Sequence, residues 1–290
     1  MTTIEKKTAP ARILVVLAGA ALSLVSARLA GAAVDGRWIL EFDGSDQVQL
    51  TTKRTSAHGR HENSSSHATS AFRGLSRPAS ATPSAARFDL ARDAGTVTFE
   101  GQLDSSGGAG RFSFTPMPDF SAEMRKLGYA SLSDEDLYTM AIHDIGRAFI
   151  QGLAEAGYTR LPFDDLVAMR IHGATPQFVR QLQALGYRRL SSDDLVSMRI
   201  HGATPEFIGE MRAAGFERLS PDEAVSMRIH EVTPEFVRAL RGFGYSSLSA
   251  DDVVSMRIHG VTTDFARKVK ARDPGVTVDE LVSMRIHGRD

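Results

Sequence analysis

The chain has 290 residues, 34 Lys+Arg against 35 Asp+Glu, a net charge of −1, 42% hydrophobic residues and no cysteine. This composition belongs to a folded protein of one or two domains and argues against disorder throughout; the missing thiols exclude disulfide scaffolds, thiolate metal sites, thioether-linked haem and thiol nucleophiles. Near-neutral charge also argues against a protein built to neutralise nucleic-acid phosphates or anionic lipid.

At the N-terminus Lys6, Lys7 and Arg12 precede an apolar run from Ile13 to Val25, followed by small residues ending in Ala30-Gly31-Ala32. The run is shorter than the ~20 residues of a bilayer span, and Arg28 interrupts its extension, so residues 1–33 read as an export signal with an A-x-A cleavage site. The expected location is periplasmic or extracellular, with membrane attachment only if residues 13–33 are retained.

From Trp38 to Phe114 the apolar period becomes two: Phe88 and Leu90, Val97 and Phe99, Phe112 and Phe114 each flank one more polar position. With Trp38 to Phe42 and Val48 to Thr52 they predict an antiparallel meander of about five strands within a β-rich domain, residues 34–115. Asp93-Ala94-Gly95 and Asp104 to Gly110 have turn composition, and Gly107, Gly108 and Gly110 read as hairpin glycines. The Ser/His-rich stretch 55–84 has no sustained apolar period and reads as a loop. His58, His61 and His67 lie in it and read as solvated side chains, because no partner for a metal site is identifiable.

Residues 116–290 carry the strongest signal. Met-x-Ile-His recurs with Met at 140, 169, 198, 227, 256 and 284, and Phe120, Phe149, Phe178, Phe207, Phe236 and Phe265 keep the same 29-residue register. Each copy predicts two short helices. Thr175 is a good N-cap with Pro176 at the first helical position, and Gly186 can stop that helix in a left-handed conformation. Ser191-x-x-Asp194 then opens the second helix as a capping box, repeated at Ser133, Ser220, Ser249 and Thr277. Helices of about ten residues are marginal alone. The expected fold class is therefore α+β, the meander followed by a solenoid-like array of six ~29-residue helical pairs, each burying Phe-Val-Leu-Leu and Leu-Val-Met-Ile faces against its neighbours. The edge copies deviate, with Ala141, Asp144 and Arg147 in the first and Arg272-Asp273-Pro274 in the last.

Two side chains recur beside the apolar positions. Arg170, Arg199, Arg228, Arg257 and Arg285 are expected to pair the acidic first turn of an adjacent helix; alternatively they form a ladder that grips ligand carboxylates. The repeated His is expected to cap free carbonyls at its helix end, and the alternative is copper or zinc held by Met198, His201, Met227 and His230, since Met and His at i and i+3 share a face. No catalytic constellation and no cofactor motif is present, the repeated carboxylate pairs being explained as helix N-termini. Asp119 to Asp290 holds 21 Lys+Arg against 25 Asp+Glu, the wrong sign for reading DNA.

The recurring Leu-Val-Ser-Met-Arg-Ile-His-Gly-(Ala/Val)-Thr-Pro-Glu-Phe, following Arg87-Phe88-Asp89-Leu90 and Gly107 to Pro116, resembles a bacterial extracytoplasmic module. The chain is similar, from about Trp38 onward, to the β-plus-helical-repeat extensions of membrane zinc metallopeptidases of the β-lactam-sensing antirepressor type. The peptidase zinc motif and membrane domain have no counterpart here, so the resemblance implies an extracytoplasmic module without peptidase activity. The expected role is an exported, non-enzymatic repeat protein that binds a protein or peptide, in envelope sensing or regulation. An oligomer through the C-terminal helix, Leu281 to His287, is a further expectation; a copper/zinc-binding periplasmic role through the Met/His edge is the alternative.

Overall fold

The computed structural model describes residues 34–44, 46–56, 59–129 and 132–288. The predicted export signal and His58 lie outside these residues. The described residues form six strands, β1 (Val34–Asp43), β2 (Gln47–Ser56), β3 (Gly59–Ala68), β4 (Ser84–Arg92), β5 (Gly95–Leu103) and β6 (Gly107–Pro116). Twelve helices follow among the described residues: α1 (Pro118–Lys126), α2 (Asp134–Ile142), α3 (Arg147–Glu155), α4 (Phe163–Ile171), α5 (Pro176–Ala184), α6 (Ser192–His201), α7 (Pro205–Ala213), α8 (Pro221–Ile229), α9 (Pro234–Gly242), α10 (Ala250–Ile258), α11 (Thr263–Arg272) and α12 (Val278–Ile286). The α+β class and the six helical pairs are as the sequence predicts.

The sheet is antiparallel in the order β3-β2-β1-β6-β5-β4, two three-stranded meanders joined by the pairing of β1 with β6. Its register aligns Leu40 with Leu50, Phe88 with Phe99, and Val97 with Phe114, so the period-two residues share one buried face. Trp38 sits opposite Gly110, which sits opposite Gly101, and the indole N–H donates to the carbonyls of Arg111 and Glu100 at 3.0 and 3.2 Å. A Cβ on Gly110 would lie 2.0 Å from the Glu100 oxygen, so this row has no room for a side chain. Gly107, Gly108 and Gly110 therefore belong to β6, and the hairpin turn before it is shorter than the predicted Asp104 to Gly110.

The predicted loop 55–84 is also corrected. Residues 59–68 form β3, paired with β2 through its whole length. Its polar side chains hydrogen-bond across the strands, Ser64 Oγ with Thr51 Oγ1 at 3.0 Å and with Gln49 Nε2 at 2.9 Å. An edge strand without an apolar face gives no period-two signal. Beyond it the chain crosses to the opposite edge of the sheet, burying Phe72 against Phe88 and Phe99 with ring centroids 5.8 and 6.0 Å apart.

The first helical pair closes the apolar face of the sheet. Tyr138 of α2 stacks on Phe112 at 5.3 Å, and its hydroxyl donates to Thr52 Oγ1 at 3.0 Å, satisfying a buried polar group. Ala141 and Ile142 are buried there too, which explains why this copy departs from the repeat. The β4–β5 turn then caps α3, whose N-cap Gly146 has no side chain: Asp93 Oδ2 accepts from Arg147 N–H at 2.7 Å.

In the array, helices of like position pack on one another: α4 on α6, α6 on α8, α8 on α10 and α10 on α12 in one row, and α3 on α5, α5 on α7 and α9 on α11 in the other. All five predicted capping boxes form, and Thr175, Thr204, Thr233 and Thr262 each accept the N–H of the Phe three residues on. Gly186 and Gly202 are left-handed at φ 96° and 72°. Tyr158 and Tyr187 tie each rung to the next by donating to Leu190 O and Leu219 O at 2.7 and 2.6 Å.

Candidate interaction surface

The five repeated arginines occupy one environment. The guanidinium of Arg170 lies over Phe149, Arg199 over Phe178, Arg228 over Phe207, Arg257 over Phe236 and Arg285 over Phe265, at 5.0 to 5.5 Å from the ring centroids. Each cation thus sits on the face of the aromatic marker of its own helical pair, an attraction of about 0.5–1 kcal/mol at a partly exposed site. Where copy one has Ala141, Arg147 fills the place over Phe120 at 5.3 Å. Arg170, Arg257 and Arg285 also donate to carbonyls at the end of the preceding second helix, His143 O, His230 O and Gly260 O, at 2.9, 3.4 and 3.1 Å.

The expected pairing with acidic first turns is therefore corrected: these arginines reach the C-terminal end of the neighbouring helix, where unpaired carbonyls and the dipole favour a cation. Among the described residues they form close ion pairs where the left-handed position after the His is not glycine. Asp144 and Glu231, both at φ 55°, pair with Arg170 at 2.8 Å and Arg257 at 3.3 Å. Arg199, Arg228 and Arg285 are exposed and form no ion pair within 4 Å among the described residues, although Arg199 lies near enough to Glu206, in the first turn of α7, to add to the backbone and Thr204 hydrogen bonds that lower its pKa.

The predicted Met/His edge does not assemble. Met198 and Met227 are fully enclosed in the core, while His201 is exposed and His230 half-buried, so thioether and imidazole face different environments. No group of three His, Asp or Glu side chains among the described residues could hold a metal ion.

Of the sheet-region histidines described, His61 is exposed, as expected of a solvated side chain, and His67 departs from that expectation. His61 lies on β3 at the sheet edge. His67 faces the core side, edge-on to Phe72 at 5.6 Å, with Nε2 2.8 Å from Ser65 Oγ. Burial first, then Arg92 and His143, push its pKa from 6.5 down to about 4, so it is neutral at physiological pH.

A second correction reveals a surface. The Leu-Val-Met-Ile face was expected to be buried as a unit, yet Ile171, Ile200, Ile229, Ile258 and Ile286 are 53%, 53%, 51%, 54% and 57% exposed. On a helix at about 100° per residue, Ile200 points about 160° away from Met198, so both cannot face the core. Val196 and Asp193 lie four and seven residues before Ile200, on the same helical face. The same Asp, Val and Ile spacing recurs at 164, 167 and 171, at 222, 225 and 229, at 251, 254 and 258, and at 279, 282 and 286. All five of these Asp are exposed and none forms an ion pair among the described residues.

The second helices run parallel. Ser192 Oγ at the start of α6 donates to Asp165 Oδ2 at the start of α4 at 2.5 Å, and the arginines join successive helix ends. Their outer face therefore carries two lines across the stack: acidic residues at the N-termini, and at the C-termini an exposed Ile between Arg and His on every rung. At an interhelical spacing of about 9 Å the apolar line is about 35 Å long over five rungs. Scattered exposed Ile would be ordinary, but contiguous apolar surface of this kind marks interaction sites. In the first copy the equivalent Ile142 is only 2% exposed, covered by the sheet.

No helix among the described residues is long and apolar enough to cross a membrane. No family model, curated protein or solved structure matches this chain.

Proposed function

We propose that this chain is an exported, non-enzymatic repeat scaffold that binds a protein or peptide through the outer face of its second helices, in envelope sensing or regulation. The observation that carries the reading is the ladder of Ile171, Ile200, Ile229, Ile258 and Ile286, each more than half exposed and in register. A folded monomer gains little by placing an Ile in water at the same point of every rung, while a recognition surface gains apolar area at each. Arg199, Arg228 and Arg285 flank that line with exposed guanidinium groups able to donate hydrogen bonds to carboxylates. The N-terminal charge-and-apolar pattern and the resemblance to extracytoplasmic metallopeptidase extensions support the envelope setting.

The test is cross-linking in the native envelope of the wild-type chain and of an Ile200→Ser/Ile229→Ser/Ile258→Ser variant, with circular dichroism confirming that both are folded. The reading expects a discrete cross-linked species with the wild type that disappears in the variant. The same species at the same yield in both would overturn it.

A further inference from the structure

We infer that the last helical pair, α11 with α12, opens from the array as one unit while the other helices stay folded. The inference stands on the junction between this pair and the preceding one, α9 with α10. Only one consequence, that opening withdraws Ile286 from the isoleucine ladder, rests on the proposed reading of that face. Elsewhere in the array two positions bridge neighbouring pairs on the side where the first helices end. At one of them Gln183 donates to Ala156 O at 2.7 Å, Arg212 to Leu185 O at 2.6 Å and Arg241 to Gly215 O at 3.0 Å. At the other, Tyr158 and Tyr187 donate to Leu190 O and Leu219 O. Phe216 stands in the tyrosine's place after α7, and Arg241 alone makes the bridge there.

Both bridges are missing at the last junction. Lys270 holds the place of Arg241, 29 residues on, but donates to Val276 O of its own pair at 3.1 Å. The Tyr245 hydroxyl, left without that carbonyl, has no partner. The Lys270 ammonium lies 4.3 Å from the centre of the Tyr245 ring, so this side is joined through a ring face and not through a hydrogen bond. On the opposite side Arg285 still donates to Gly260 O at 3.1 Å. The packing is thinner as well. Where the earlier first helices bury Val179 with Leu182, Ile208 with Met211 and Val237 with Leu240, α11 buries Ala266 with Val269, and each missing methylene removes favourable burial. Asp273-Pro274-Gly275 replaces the Gly-Tyr or Gly-Phe of the other loops, so this loop brings no aromatic ring to the junction. A stack of repeats is held by nearest-neighbour interfaces, and the pair whose interface has the fewest hydrogen bonds and the least apolar area opens at the lowest free energy.

Native-state hydrogen exchange of the full chain, read by mass spectrometry over a series of low urea concentrations, tests the inference. Amides of α11 and α12 should exchange about tenfold or more faster than those of α7 to α10, with one urea dependence common to the two helices, as a cooperative unit gives. Ala266→Val/Val269→Leu restores the side chains of the earlier pairs and should slow exchange in α11 and α12 about tenfold while leaving α5 and α6 unchanged. Equal protection along the array, unrelated urea dependences for α11 and α12, or a variant that exchanges at least as fast as wild type would each overturn the opening. Exchange needs no partner, so the two readings fail separately. An Ile-dependent cross-link together with equal protection sinks the opening alone; fast exchange in α11 and α12 together with an Ile-independent cross-link sinks the scaffold reading alone.

Discussion

Tyr187 and Tyr245 hold the same place in rungs two copies apart and should respond oppositely to loss of the hydroxyl. Tyr187 donates to Leu219 O at 2.6 Å, so Tyr187→Phe is expected to cost about 1 kcal/mol. Tyr245 would reach Val276 O, but the last interval is one residue shorter and Lys270 Nζ takes that carbonyl at 3.1 Å, with its ammonium 4.3 Å above the ring. The Tyr245 hydroxyl is buried with no partner, and burial, then Asp273 and Glu280, push its pKa up to about 12. Tyr245→Phe removes an unsatisfied group and should stabilise by about 1 kcal/mol. Urea denaturation of the two variants checks the opposite signs. His67 makes a pH prediction at the same scale. Its folded pKa lies below its unfolded value, so the unfolded chain takes up the proton first as pH falls. Its stabilising contribution is complete above pH 6.5 and is lost between there and about 4. Between pH 7 and 5 the wild type should lose on the order of 2 kcal/mol more than His67→Gln, read from urea midpoints at both values.

At the scale of elements, capping and spacing were legible because they are local. Ser191 with Asp194, Thr175 with Pro176, and Gly186 announce where helices begin and end without reference to neighbours. Burial was less legible. Leu195, Val196, Met198 and Ile200 spread over an arc too wide for one contact face, and single-sequence apolarity does not say which side meets the second row of helices. The Arg was misplaced for a related reason: both acidic N-termini and free C-terminal carbonyls repeat every 29 residues, and only the stacking offset selects the carbonyls and the Phe ring. β3 was missed because its pairing energy is in backbone hydrogen bonds and Ser/Thr contacts, which leave no apolar pattern. The rung as a unit makes a prediction. Deleting residues 205–233 joins Thr204 to Pro234, restores the Thr-Pro helix start and lets Tyr187 reach Leu248 O, so the shortened chain should unfold in one transition with a smaller urea slope. Ile200→Ser should change stability by less than about 0.5 kcal/mol, while Met198→Ala in the same helix should cost about 2–5 kcal/mol, as thermal or urea unfolding will show.

At the scale of the whole molecule, one end of the array is closed and one long face is open. The sheet covers the first pair through Tyr138, Ala141 and Ile142, giving the stack a fixed origin from which the remaining copies repeat almost unchanged. The interior contacts are then served by Leu, Met and Phe, the arginines are anchored on the preceding rung, and Ile is left at the same outward point five times. On the proposed function this face is covered when the protein works. Hydroxyl-radical footprinting of the chain in its native cells, compared with the purified chain at high dilution, measures this directly. Ile200, Ile229 and Ile258 should be strongly protected in the cell and reactive when dilute, while exposed Ile39 on the sheet reacts alike in both; equal labelling of the ladder under the two conditions would contradict the account.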